Sequence, residues 1–292
     1  MLLEAKEDLP DGIYIRFRAD DSLFSLRRLL ARTKTIEELI TELPFADDYA
    51  LLAHTEETLQ HIVNRFSDAA KNFGLTISLK GTEVLYQLPP SETHSPPHIS
   101  MDGTNLNAVD HFTYLGSDIS SDATVSMDLD NRISFGRLSK RVCQRHSLCL
   151  STKLQVYRAV VVTTLLYGVE TWVLYRKQIR LLEWFHQRCL RSILGIKWQD
   201  HVSNEGVLKR ASLPSTESIL LQVQLRWAGH VTRMEVRMPK AVVFSEPQEG
   251  KRDHGAPRKR HKDQLKRQLA QAVISHSHGS RRPQTETAGA HQ

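Results

Sequence analysis

Two apolar arms, Leu43 to Ala46 and Tyr49 to Ala53, flank the adjacent acids Asp47 and Asp48. Arms this short, separated by a polar pair, bury their apolar side chains by folding onto one another. A tight β-hairpin with the two acids at its tip is the predicted result. The next segment is equally constrained. Thr55 is a good helix N-cap, with Thr58 where a capping box would prefer Glu. Leu59, Ile62, Val63, Phe66, Ala69, Ala70 and Phe73 recur at helical spacing, and Gly74 stands where a helix-ending glycine belongs. A helix is therefore predicted over 55–73. Leu75, Ile77 and Leu79 then alternate, which predicts a strand ending at Lys80.

Elsewhere the patterns are shorter. Ile13, Ile15 and Phe17 alternate with Tyr14, Arg16 and Arg18 and predict a strand. Asp20-Asp21-Ser22 reads as a turn into a returning strand, Leu23 to Leu29. Residues 88–100 hold four prolines and read as a loop. A short strand is expected within 109–119. Residues 122–150 carry Met127, Leu129, Ile133 and Leu138 on one helical stripe. The segment 151–195 is helical in pattern, with Ser151 as N-cap, a break at Gly168 and a stop at Gly195. Leu181, Leu182, Phe185, Leu190, Ile193 and Leu194 give it a broad apolar face. A further helix is predicted over 218–230. The fold class is α+β, with hairpins in the first part and helices in the second.

Hydrophobic residues make up 40% and charged residues 25%, enough for a packed core. Net charge is +6 and the pI about 9.2, compatible with a nucleic-acid partner. From Lys251 to Arg267 eight Lys/Arg face two Asp, a local excess equal to that of the whole chain. Lys251, Arg252, Arg258, Lys259, Arg260 and Lys262 are the candidate phosphate contacts. A solvated tail or a nuclear-import signal is the other reading. Three cysteines without a CxxC pair are no disulfide scaffold, and Cys143, His146 and Cys149 are not spaced like zinc ligands. The N-terminus lacks the apolar stretch of a secretory signal. The run from Ala159 to Tyr167 is too short to cross a bilayer. The protein is expected inside the cell, in cytoplasm or nucleus, with no membrane partner. Trp172, Trp184, Trp198 and Trp227 are read as helix-packing residues, with base stacking as the alternative.

The acids carry the chemical argument. Two-metal phosphoryl transfer needs carboxylates that hold divalent ions roughly 3.5–4 Å apart. Adjacent acids on a rigid hairpin can serve that need, although acids are also common in plain turns. Ala19-Asp20-Asp21 follows Arg-Phe-Arg rather than an apolar arm and reads as such a turn.

Phe45-Ala46-Asp47-Asp48 resembles the metal-binding hairpin of reverse transcriptases. Further blocks follow in the order of the non-LTR (LINE-type) retrotransposon family. Gly74-Leu75 and Lys80 resemble the segment in which a Gly-Leu turn leads into a strand ending in Lys-Thr-Glu, with Lys80 at its lysine and Gly81 interrupting the run. Tyr114-Leu115-Gly116 resembles the hairpin that grips the primer end. Leu166-Tyr167-Gly168-Val169-Glu170-Thr171-Trp172 resembles a Leu-Tyr-Gly-x-Glu-x-Trp helix of the thumb or connection region. Arg226-Trp227-Ala228-Gly229-His230 with Arg233-Met234 resembles its Trp-x-Gly-His-x-x-Arg-Met segment.

The resemblance implies a partial palm over 1–120, an all-α thumb-like region over 121–245 and a basic, flexible tail over 246–292. It implies that Asp47 and Asp48 ligate Mg²⁺ or Mn²⁺, that Lys80 stabilises charge near the dNTP triphosphate, and that Tyr114, Leu115 and Gly116 position the primer. The partners implied are an RNA template and a DNA primer, held by helices of 151–230. The family places another metal-binding Asp on a strand roughly a hundred residues before the hairpin, and a Gln-Gly segment at the nucleotide pocket. Neither is among the 44 residues before Phe45. The expectation is an RNA-directed DNA polymerase fragment that is inactive alone. The alternative is a non-catalytic RNA- or DNA-binding remnant. Asp8, Asp11, Asp20 and Asp21 are the candidates to stand in for the missing metal-binding Asp, and nothing in the sequence singles one out.

Overall fold

The computed structural model describes residues 12–18, 35–87, 96–138, 148–235, 238–247 and 259–279. The expected turn at Asp20-Asp21, the strand Leu23 to Leu29, and Asp8 and Asp11 lie outside them.

Strand β1 (Ile13–Arg18) forms where predicted. It pairs antiparallel with β2 (Thr35–Ile40), from Ile13 opposite Ile40 to Arg18 opposite Thr35. Ile15, Phe17 and Ile40 are buried together on the inner face. Then β3 (Glu42–Phe45) and β4 (Asp48–Leu51) make the predicted hairpin. Its turn is one residue earlier than expected. Phe45 pairs with Asp48, so Ala46 and Asp47 form the turn and Asp48 opens the return strand. Ala46 sits at φ 53°, a left-handed conformation that a Cβ disfavours.

Helix α1 (Glu56–Asn72) is capped by Thr55, whose side chain accepts from the Thr58 amide. Beyond Phe73, the Gly74 amide bonds to the Lys71 carbonyl and the Leu75 amide to that of Ala70. With Gly74 at φ 69°, this is a Schellman stop. The strand expected over 75–80 does not form. Leu75 to Ser78 lie unpaired, and Leu79–Gly81 make a single 3₁₀ turn. Pairing is taken instead by β5 (Glu83–Leu85), while Ile77 and Leu79 pack onto the cluster of Val63, Val84, Ile99 and Met101. Alternation signals half-burial; here a loop supplies it without a ladder. The short strands β6 (Ser100–Met101) and β7 (Thr104–Asn105) pair with each other. The α1 residue Gln60 brackets Ser100, donating to its carbonyl and accepting from its amide, each at 2.7 Å. Strand β8 (Asn107–Val109) runs parallel to β5. Strands β9 (His111–Tyr114) and β10 (Ser117–Ser120) form a second hairpin, where the residue pattern predicts one short strand and the resemblance a hairpin.

The helical part begins with α2 (Ser126–Leu138). Its stripe holds in part: Leu129 and Ile133 are buried, whereas Met127 is exposed. Helix α3 (Leu150–Val156) continues through a π-helical stretch, Tyr157–Val162, into α4 (Thr163–Leu165). The chain breaks around Gly168 (φ 71°) before α5 (Arg176–Leu194), which Gly195 ends at φ 68°. Helix α6 (Asn204–Ala211) was not expected from the pattern. Helix α7 (Thr216–Arg233) extends the predicted one at both ends. One core joins Leu129, Tyr157, Leu165, Trp172, Leu182 and Leu190 with residues of α6 and α7. Helix α8 (Met238–Phe244) leads to β11 (Glu246–Pro247), which returns to pair with β1. Helix α9 (His261–Gly279) occupies part of the stretch expected as tail, and its Leu265 is buried. The fold is mixed α and β, with small antiparallel hairpins ahead of a helical part. No helix among the described residues is long and apolar enough to cross a membrane.

Candidate functional site

Asp47 and Asp48 are both exposed on the β3–β4 hairpin. The second hairpin lies against it: the Tyr114 hydroxyl donates to the Leu43 carbonyl at 2.8 Å, across 71 residues of sequence. Burial, and then the negative charge of Asp48, raise the Tyr114 pKa. A neutral, donating Tyr114 is thus favoured, and the two turns are held together.

Among the described residues, no group of three or more His, Cys, Asp or Glu is placed to hold a metal ion. Asp47 and Asp48 alone do not make a two-metal centre, which needs further donors. The acids Asp8, Asp11, Asp20 and Asp21 are not described. Lys80 is exposed on the 3₁₀ turn and forms no ion pair among the described residues.

The Leu115-Gly116 turn of β9–β10 is unusually well held. Both residues have positive φ, 50° and 75°, as a two-residue hairpin turn of this hand requires. Glycine adopts that freely; leucine costs about 1–2 kcal/mol there. Three contacts hold the turn. The Tyr167 hydroxyl donates to the Leu115 carbonyl at 3.3 Å. Arg132 Nη2 donates to the Gly116 carbonyl at 3.0 Å and to Ser117 Oγ at 3.1 Å. The opposing Gly168 passes so close that a Cβ there would stand 3.4 Å from Ser117 Oγ.

Arg132 is the residue that sequence reasoning missed. It is buried in α2, paired through Nε with Asp128 at 2.8 Å, and donates to the Thr164 carbonyl at 3.1 Å. Its guanidinium carbon lies 5.3 Å from the ring centroids of both Tyr167 and Trp172. The only sequence signal was an acid four residues before a base, which usually marks a solvated helix face.

The loop that carries Tyr167 to Trp172 is clamped from its other side. Gln224 of α7 donates to the carbonyls of Val169 and Trp172 at 3.0 and 3.2 Å. His261 Nε2 donates to the Glu170 carbonyl at 2.7 Å, which fixes its tautomer. Burial lowers the His261 pKa, against the pull of that bond. Gln264 accepts from the Leu174 amide and donates to Gln224 at 3.0 Å. Trp227 meets the His261 ring edge-on at 5.5 Å. The segments of Tyr114, Tyr167 and Trp227 thus meet in one docked unit.

The basic stretch divides. Lys251, Arg252 and Arg258 lie outside the described residues. Lys259 stands over the Tyr175 ring at 4.8 Å. Arg260 pairs with Glu246 and, at 3.3 Å, with Asp263. Lys262 is turned inward, donating to the Phe244 carbonyl at 3.0 Å with Glu246 at 3.6 Å, and burial lowers its pKa. Charge counting along the sequence cannot see these partners. Of the tryptophans, Trp172 is buried as expected, but Trp184 is 48% and Trp198 81% exposed.

No protein-family model matches the chain, and no solved structure matches it. It is 26% identical over 182 residues to the RNA-directed DNA polymerase from mobile element jockey of Drosophila melanogaster, a match covering 57% of this chain and 19% of that protein. It is 23% identical over 203 residues to a transposon-derived protein of Caenorhabditis elegans, covering 66% of this chain and 72% of that one. The chain thus spans about a fifth of the polymerase it matches. At this distance, the chain is related to retrotransposon-encoded proteins.

Proposed function

We propose that these residues are a segment of a non-LTR retrotransposon reverse transcriptase, comprising part of its palm and its thumb or connection region. In this reading Asp47 and Asp48 are one half of a two-metal site, Lys80 faces the triphosphate, and Tyr114, Leu115 and Gly116 face the primer end. The observation that carries it is the Tyr114 bond to Leu43, which joins the Asp-Asp hairpin to the Tyr-Leu-Gly turn. The polymerase likeness supports the same reading.

The donor set bears on what the segment does alone. Two exposed carboxylates without a third donor group among the described residues do not build the centre that nucleotidyl transfer uses. In this reading the segment by itself holds template and primer, and nucleotidyl transfer calls for donors beyond the described residues. Mg²⁺, or Mn²⁺, and dNTP belong to the complete site. The second reading, a binding remnant with no catalytic role, shares this holding function.

The test is binding of a fluorescent RNA–DNA hybrid, followed by anisotropy across salt. Affinity should fall steeply as salt rises, because phosphate contacts release counterions. Asp47→Asn/Asp48→Asn should leave affinity unchanged or slightly raised, since it removes negative charge near phosphates. A folded chain with no measurable affinity at low salt would refute the holding role.

A further inference from the structure

Helix α5 is the longest helix of the main core, and its two faces differ sharply. Leu182, Phe185, Leu190 and Ile193 fill the core. On the opposite side Lys177, Arg180, Trp184 and Arg188 are all exposed. Steps of three, four and four residues put these side chains on one stripe, roughly 16 Å long at 1.5 Å per residue. Among the described residues, none of the three cations pairs with a carboxylate. Other cations of the helix are committed elsewhere: Arg176 pairs with Glu217, and Arg191 donates to Val202 and Asn204. The helix's one acid, Glu183, is turned away, accepting from the Thr216 amide and from Gln187. The stripe is therefore purely cationic around a half-exposed indole. Arg188 lies over that indole at 5.2 Å, so π surface and positive charge coincide at one point.

Single exposed apolar residues are ordinary on protein surfaces. An indole set between unpaired cations at helical spacing is a more specific arrangement. Backbone phosphates complement the charges, and a flat base complements the ring and the guanidinium plane. A duplex satisfies only the first of these, because its base faces are already stacked. Building on the nucleic-acid reading above, we infer that the outward face of α5 binds an unpaired strand of RNA or DNA, stacking a base at Trp184 and holding flanking phosphates with Lys177, Arg180 and Arg188. The site lies apart from the Asp47-Asp48 hairpin in sequence and uses none of its residues.

The test is anisotropy of short labelled oligouridine and oligothymidine with the full chain, measured across salt. Trp184→Ala should weaken both strands on the order of tenfold, the range of a lost base stack. Trp184→Phe should retain most of the affinity, since a ring remains. Arg180→Ala/Arg188→Ala should weaken binding and reduce the salt slope by about 1.4, the single-strand value for two lost phosphate contacts. The charge-matched control is Lys209→Ala/Arg210→Ala, on the exposed side of α6; it should change little. Unlabelled duplex should compete less well than single strand. Equal losses from control and stripe variants, or equal competition by duplex, would overturn this site while leaving hybrid binding intact. No affinity for hybrid or single strand would overturn both readings together.

Discussion

Arg132 spends four donor contacts on Asp128, Thr164, Gly116 and Ser117, and presents its guanidinium to two aromatic rings. Its removal would leave Asp128 as a buried, unpaired charge and release the strained Leu115 turn. Arg132→Met should therefore cost about 3–5 kcal/mol, as for other broken buried ion pairs. Urea unfolding reads this as a lower midpoint at unchanged slope. Asp128→Asn/Arg132→Met should recover part of the loss, because no lone charge remains. The buried histidines make a second residue-scale prediction. In the neutral ring, His186 Nε2 donates to the Pro214 carbonyl at 3.2 Å and Nδ1 accepts from the Tyr157 hydroxyl at 2.7 Å. Burial lowers its pKa from 6.5, despite the nearby charge of Glu183, and burial lowers that of His261 likewise. The unfolded chain thus binds protons that the folded chain refuses. Stability from these groups is complete above pH 6.5 and declines as pH falls through it, by at most about 1.4 kcal/mol per pH unit for each histidine. Melting temperature between pH 7.5 and 5.5 should fall, and His186→Gln should flatten the fall. An unchanged slope in that variant would remove His186 from the account.

At the scale of elements, much was legible in the sequence. Thr55, the apolar stripe and Gly74 fixed α1 because each signal acts within a few residues. The β3–β4 hairpin was legible for the same reason, although its turn came one residue early. Three features were not. The 75–80 strand failed because alternation reports burial on one side, not the presence of a ladder partner. Helix α9 was hidden because charge along 251–267 reads as solvated until Glu246 and the Phe244 carbonyl are known to face Arg260 and Lys262. The inward turn of Arg132 depends on α2 meeting the Tyr167 loop, a contact no local pattern encodes. That close approach has a further consequence at Gly136. A Cβ there would stand 2.8 Å from the Phe185 ring, so α2 and α5 pack at a distance only glycine allows. Gly136→Ala should destabilise by about 1–3 kcal/mol through overpacking, despite alanine's better helix propensity. Phe185→Leu in the same chain should relieve the clash and restore part of the stability.

Over the whole molecule, sequence blocks far apart converge. The Asp47-Asp48 hairpin touches the Tyr114 turn, that turn is held by Arg132 and Tyr167, and the Tyr167 loop is clamped by α7 and α9. This convergence makes one packed unit of blocks that lie far apart in the sequence. The same unit leaves Leu43 and Phe45 exposed on the hairpin of the acids, and Phe73 and Leu75 exposed at the end of α1. In the proposed reading these are the surfaces on which the remainder of a palm would sit, and they predispose the isolated chain to associate. If the acids here are half of a site, primer extension on an RNA template with Mg²⁺ or Mn²⁺ will show it, comparing the chain with Asp47→Asn/Asp48→Asn. The account predicts no extension from either protein, although both are folded and bind the hybrid. Extension by the chain that the double substitution abolishes would contradict it, and would mean that this polypeptide completes its own catalytic centre.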